Sequence, residues 1–473
     1  MRKKECLLKG SVLVYGLVIM FVVSIVMSSI IGFVVSQTKY ALQVHAREQA
    51  FQIAESGIHF YRWYLAHQVE GRTAQQVADF WATGSPYGVA PTPYEMEYTD
   101  PGGSPIGMYR LEVTPPPTGS TVVIVKATGW TYRFPDVRRV IQVRFRKPSW
   151  SEYAVLANGN MRFGAGTEVF GRIHSNQGIR FDGLAHNVVT SALANYNDPD
   201  HTGGNEFGVH THSGTVDPLP PTAVPDRPDV FEGGRSFPVA STDFNGVLGD
   251  LAYMKTQAQA GANGSLYFDN SHNGRHIILK TDGTFTIQTV RNFNASTNEI
   301  GNYNGAATTY TIPNDGIIFV ENNAWVEGTV NGKRVTVVAA NTISSSKKTM
   351  YLGKDIRYTN YDCTDMVGLI GQQDVEVYRS SNNILRLDAS LIAQLGRVGR
   401  ANYTGATAIR DTITVYGAIA SNQRYGFAWI DNQGNHVSGY INRNLYYDNN
   451  LLYCPPPYFP TGTQYEMDLW EER

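Results

Sequence analysis

Six side chains between positions 198 and 212 are of the types that ligate metals: Asp198, Asp200, His201, Glu206, His210 and His212. His210 and His212 are two residues apart, so an extended strand would put both imidazoles on one face, where they could meet one ion. Asn, Asp and Gly crowd the same stretch and read as turn formers, so a solvated loop accounts for the cluster equally simply. The loop is the reading adopted. No metal and no cofactor are expected, and His201, His210 and His212 are the residues that would have to prove otherwise.

Other constellations are weaker. His174-Ser175-Asn176 has no acid or base partner nearby and reads as a turn that satisfies backbone groups. Asp431 to Asn435 is a loop tip, since the remaining ligands of an EF-hand loop are absent. No phosphate-cradling glycine loop or nucleophile elbow occurs. The sequence specifies no carboxylate pair for glycosidic chemistry. The chain is expected to be non-enzymatic.

Three cysteines are present. Cys6 lies in a basic leader, which leaves Cys363 and Cys454 either as a disulfide pair outside the cytoplasm or as two separately buried thiols.

The elements that must carry these groups begin with that leader. Residues 1–10 are basic (Arg2, Lys3, Lys4, Lys9) and precede an uncharged run over 11–38. About 20 apolar residues suffice to span a bilayer as a helix. The run is too long for a secretory signal, and no small-residue cleavage site follows it. The basic leader holds the N-terminus in the cytoplasm by the positive-inside bias. Everything after Lys39 then lies outside the membrane.

From 39 to 66 the helix turns amphipathic, with Leu42, Ala46, Ala50, Ile53, Ala54, Ile58, Tyr61 and Leu65 at helical spacing. Alternating segments at 108–113, 121–127 and 138–145 predict a small antiparallel sheet, and the helix is the natural cover for its apolar face. Residues 67–150 are therefore read as a small α+β unit.

Over 151–473 short β-rich pieces alternate with Gly and Asn turns, interrupted by an insertion at 195–261. That insertion ends in an amphipathic helix capped by Thr242 or Asp243. Between Ile317 and Ile419 strand groups recur every 18 to 22 residues. This predicts a β-solenoid resembling a parallel β-helix, with an irregular sandwich as the alternative. The fold class is mainly β, behind a long N-terminal helix laid on a small antiparallel sheet. A net charge of −2, with 17% charged residues, gives no electrostatic case for nucleic acid.

Lys9-Gly10-Ser11 at the junction of leader and apolar run resembles the processing site of type IV pilus assembly proteins. Ala54-Glu55-Ser56-Gly57-Ile58, with Ala50 before it, resembles the signature of X-type minor pilins and of related K-type pseudopilins. The resemblance implies cleavage after Gly10 by a prepilin peptidase, N-methylation of Ser11, and assembly with other pilins or pseudopilins through the N-terminal helix. Major pilins carry a Glu five residues after the cleavage point, where this chain has Tyr15. An uncompensated buried ammonium at every subunit step would cost several kcal/mol. Tyr15 therefore argues for a tip or priming position over a repeating shaft.

The 153–473 region also resembles a domain of unknown function found behind such N-termini, through Val155 to Asn160, Gly171 to Ile179, Gly368 to Gly371 and Gly439 to Asp448. That family supplies no activity to carry over; for the whole chain the expected role is to prime pilus assembly or to display a domain that contacts or adheres to an unknown surface ligand. A membrane-anchored polysaccharide-binding or polysaccharide-degrading β-helix protein is the alternative.

Overall fold

The computed structural model describes residues 9–69, 72–83, 93–116, 122–147, 149–242, 244, 247–431, 433–460 and 465–473. The leader residues 1–8 and the expected cap Asp243 lie outside these.

One helix, α1 (Lys9–Gln68), runs without a break for 60 residues, about 90 Å at 1.5 Å per residue. No proline interrupts it. Its first half meets nothing among the described residues: a Cβ on Gly16 or Gly32 would have no neighbour within 4 Å, and the large side chains from Val12 to Val35 are exposed. This half is apolar and long enough to cross a membrane. Its second half buries Ala46, Ala50, Ile53, Ala54, Ile58, Tyr61 and Leu65. A short helix, α2 (Ala74–Thr83), follows.

The buried stripe of α1 lies on an antiparallel sheet of β1 (Tyr94–Thr99), β2 (Pro105–Thr114), β3 (Val123–Thr131) and β4 (Arg138–Arg146). Alternation sets the buried face: Leu111, Val125, Ala127, Val143 and Phe145 point at the helix side and are fully buried. Two differences from the sequence reading appear here. β1 is a fourth strand beyond the three predicted, missed because its acidic residues (Glu95, Glu97) leave it little apolar pattern. The open edge of β4 is paired by the strand Glu466–Glu472, antiparallel. The 151–473 unit thus gives its C-terminal strand back to the first sheet, which covers an edge that would otherwise stay open.

The rest is a parallel β-solenoid whose coils are out of chain order. In register, Ile318 stacks on Val337, Leu369, Leu391 and Ile419, which in turn stacks on Val155, Ile173 and Val189. All eight are buried in one core. The chain therefore enters the solenoid in its middle, at Val155, and builds outward to a terminal coil at Arg235–Ser236. It then crosses along the outside as α3 (Val247–Ala260) and restarts at the opposite end with Leu266–Phe268. From there it coils back until Ile409–Ser421 and His436–Tyr447 meet the first coil.

An outward ladder of Phe319, Val338, Ile370, Ile392, Ala420 and Leu156 packs in one cluster with Leu251, Met254 and Ala258 of α3 and with Trp150, Phe244 and Phe459. The helix ends before Gly261, which takes φ 69°.

The repeat is less regular than the sequence suggests. Register offsets along the stack are 19 residues from Ile318 to Val337 but 32 from Val337 to Leu369. Corner loops absorb the difference without disturbing the stacked strands. Within the expected insertion, Val209–His210 pairs in parallel with Ile179–Phe181 and so belongs to the terminal coil. A long hairpin, Thr284–Asn294 with Glu299–Thr311, extends the other end; its outer strand is mostly exposed and carries no hydrophobic alternation.

Candidate assembly helix and histidine cluster

Lys9, Gly10 and Ser11, the residues expected to form a processing site, begin α1. Tyr15 stands exposed on the same helix, and residues 11–38 contain no ionisable acid or base other than Tyr15. An apolar face of this kind is equally suited to lipid and to packing against other helices.

The signature residues do their work further along. A Cβ on Gly57 would lie 2.9 Å from the Tyr109 ring, so the glycine lets β2 approach the helix. Ala54 is fully buried, and a Cβ on Gly129 of β3 would fall 2.2 Å from the Ala50 carbonyl oxygen and 2.5 Å from the Ala54 nitrogen. Ile58 packs into the same core. Ser56 donates to the Gln52 carbonyl at 2.8 Å, and Glu55 faces His59 at 3.9 Å on the open side. Alanine on the helix and glycine on the strand thus seat α1 almost backbone to backbone. Sequence reasoning missed Gly129; a glycine inside an alternating strand is the signal for such an approach.

The solenoid is tied to this sheet at both its entry and its exit. Ser149 and Glu152 form a reciprocal cap on the turn Trp150–Glu152. Glu152 also pairs with Arg146, and Asp468 receives Arg144 Nε at 2.8 Å and Arg146 Nε at 3.0 Å.

Cys363 and Cys454 form a disulfide with Cα atoms 5.8 Å apart, joining a corner loop of the solenoid to the exit segment. Beyond it Arg334 donates to the Pro455 carbonyl at 2.9 Å, and Thr336 donates to that of Pro457. The proline run is held flat against the outer face of the coils.

His174 is buried on the strand Ile173–Ser175, its nitrogens 3.0 Å from Thr190 Oγ1 and 3.1 Å from Asn176 Oδ1. Its partners are side chains, not the backbone groups expected of a turn, and burial lowers its pKa. Asn176 in turn donates to Asn158, which donates to Asn422, each at 2.9 Å. A short asparagine ladder thus runs up the corner.

The six polar residues at 198–212 divide into groups. Asp200 is taken by Arg424, 2.6 Å away, and by Arg162. Asp198 lies 3.4 Å from the fully buried His210 and 3.8 Å from Arg180. Burial alone would raise the Asp198 pKa, but His210, the Asp200 amide and Arg180 outweigh it and lower it to about 2. The remaining three converge: Glu206 Oε1 is 3.1 Å from His201 Nδ1 and 3.7 Å from His212 Nε2. Burial, with the charges of Arg180 and His210, lowers the His212 pKa to about 4, so its imidazole is neutral at physiological pH. The solvated loop expected here is not what is found: Asp198, Glu206 and His210 are buried, and the His210 and His212 rings stand 5.1 Å apart. The strand stops at His210, and its ring turns to Asp198.

Residues 9–59 match the PilX N-terminal family. This stretch covers the apolar half of α1 and the Ala54–Ile58 signature, so it is the N-terminal helix of the chain that is similar to the PilX N-terminal family. Among solved structures, the competence-associated pilin ComZ from Thermus thermophilus is similar at 12% identity, over 90% of this chain and 97% of that one, with a TM-score of 0.31. No curated protein matches the chain.

Proposed function

We propose that this protein is a non-enzymatic minor pilin or pseudopilin-like component that primes a type IV pilus or related machine, or displays the β-solenoid at its tip for surface contact. The observation that carries the reading is the division of labour within α1. One half is apolar and without contacts, and the other half is the core of a folded sheet.

In this reading a prepilin peptidase cuts after Gly10, Ser11 becomes the N-methylated first residue, and the bared helix leaves the membrane by packing on other pilins. The solenoid then lies outside the cytoplasmic membrane, where a Cys363–Cys454 disulfide can persist. Tyr15 supplies no counter-charge for a neighbouring amine, which suits a position used once per filament. A polysaccharide-degrading role has less support. The ≈ 440 Å³ surface hollow lined by Asn402, Tyr403, Ile409 and Val437, among others, has no carboxylate in its wall.

Mass spectrometry of the protein recovered from its native envelope tests the proposal. A mature chain starting at N-methylated Ser11 is expected, and an intact start within residues 1–9 would overturn it.

A further inference from the structure

Glu206 is 1% exposed, and neither of its carboxylate oxygens receives a hydrogen bond among the described residues. His201 Nδ1 and His212 Nε2, the atoms facing it, are likewise without hydrogen-bond partners. Buried polar atoms are paired in the great majority of cases, and a bound ion is one recognised reason for an exception. Here three unpaired donor atoms from three side chains lie within 4.8 Å of one another.

The spacing is informative. Ligand atoms bound at about 2.0–2.2 Å around a tetrahedral ion stand roughly 3.3–3.5 Å apart. The separations of 3.1 Å and 3.7 Å from Glu206 Oε1 bracket that value. Arg180 is occupied by Asp182 at 2.7 Å and by Asp198 at 3.8 Å. The His212 amide is itself fixed by Asp182 at 2.8 Å. His201, 36% exposed at its side chain, leaves a route from solvent.

We propose that His201, Glu206 and His212 bind one divalent first-row transition metal ion, zinc by ligand type, with water in the fourth position. Two imidazoles and one carboxylate select such an ion over calcium or magnesium, which prefer all-oxygen shells. The ligands come from a loop, the strand Glu206–Phe207 and the turn after Val209–His210. The ion would clasp the loops that close the terminal coil.

The test uses the full-length protein in detergent, stripped with chelator and titrated with ZnCl2 by calorimetry and with CoCl2 by visible absorption. One equivalent of zinc is expected, together with the d–d bands of cobalt in a tetrahedral site. Glu206→Gln should weaken zinc binding by about 100-fold or more, and His201→Ala by at least about 10-fold. The exposed His59→Ala should leave it unchanged. If Glu206→Gln fails to fold by circular dichroism, the partly exposed His201→Ala decides the matter. Absence of zinc binding, preference for calcium, or wild-type affinity in a folded His201→Ala or Glu206→Gln protein would each overturn the assignment.

Discussion

Asn158 donates a 2.9 Å hydrogen bond to Asn422 Oδ1 across 264 residues of chain. The bond crosses the seam where the first coil built meets the last, and Asn158 also receives Asn176. Replacing Asn158 with alanine removes both bonds from a partly buried corner, although Asn176 keeps its bond to the Thr242 carbonyl. A loss of about 1–3 kcal/mol is expected in chemical denaturation, against a negligible change for the exposed Asn435→Ala.

Because the seam is closed by strand pairing and a shared core, covalent continuity through the crossing should be dispensable once the protein is folded. A protease site inserted at 245–246 and cleaved after folding should leave two fragments that co-elute in size-exclusion chromatography. Separation without denaturant would contradict the continuous stack from Ile318 to Val189.

The seat of α1 on β3 has no room for a side chain. Gly129→Val places carbon against the Ala50 carbonyl oxygen, where a Cβ would be only 2.2 Å away. A penalty of at least about 3 kcal/mol is expected, seen as loss of the folded sheet in hydrogen exchange of Val125 and Val143. Gly426→Ala, where a Cβ would meet nothing within 4 Å, is the control.

The disulfide closes a span of 91 residues. Double replacement of Cys363 and Cys454 by serine should lower stability by about 2–4 kcal/mol, and reductant should reproduce the effect in the parent protein. Equal melting with and without reductant would show that the bond adds nothing.

Burial raises the pKa of Glu376 to about 6, against the opposing pull of Arg397 and the Ala401 amide. The folded state therefore holds a proton that the unfolded chain releases at its ordinary value of 4.5. Stability from this group is complete below 4.5 and falls as pH rises through 6, by about 2 kcal/mol in all. Glu376→Gln should flatten the denaturation midpoint between those pH values; an unchanged slope would assign it elsewhere.

Much of this architecture is legible in the chain. The break-free apolar run gives α1, and the spacing of Ala50, Ala54 and Ile58 gives its buried face. Short aliphatic groups between Gly and Asn turns give stacked coils. What escaped is non-local. No local pattern tells that Ile419 neighbours Val155, since a parallel ladder is blind to which coil comes next. The strand Glu466–Glu472 is strongly acidic and joins β4 through Arg144 and Arg146, a match of charge that periodicity does not register. His201, Glu206 and His212 meet because Asp198 and Asp200 are claimed by His210, Arg162 and Arg424, and such competition is invisible until all the partners are in place.

The return of Glu466–Glu472 to β4 also bears on biosynthesis. Asp468 reaches Arg144 across 324 residues, and the first coil waits nearly as long for its upper neighbour. Neither structural unit can finish while the chain is still emerging, so folding is governed by contacts of very high order, which are slow to form. A chain halted before residue 466 would present an unpaired β4, and one halted before 409 an uncovered first coil as well. Such edges are what quality-control proteases and holding chaperones detect. The interleaving makes completeness of synthesis a precondition for a finished surface.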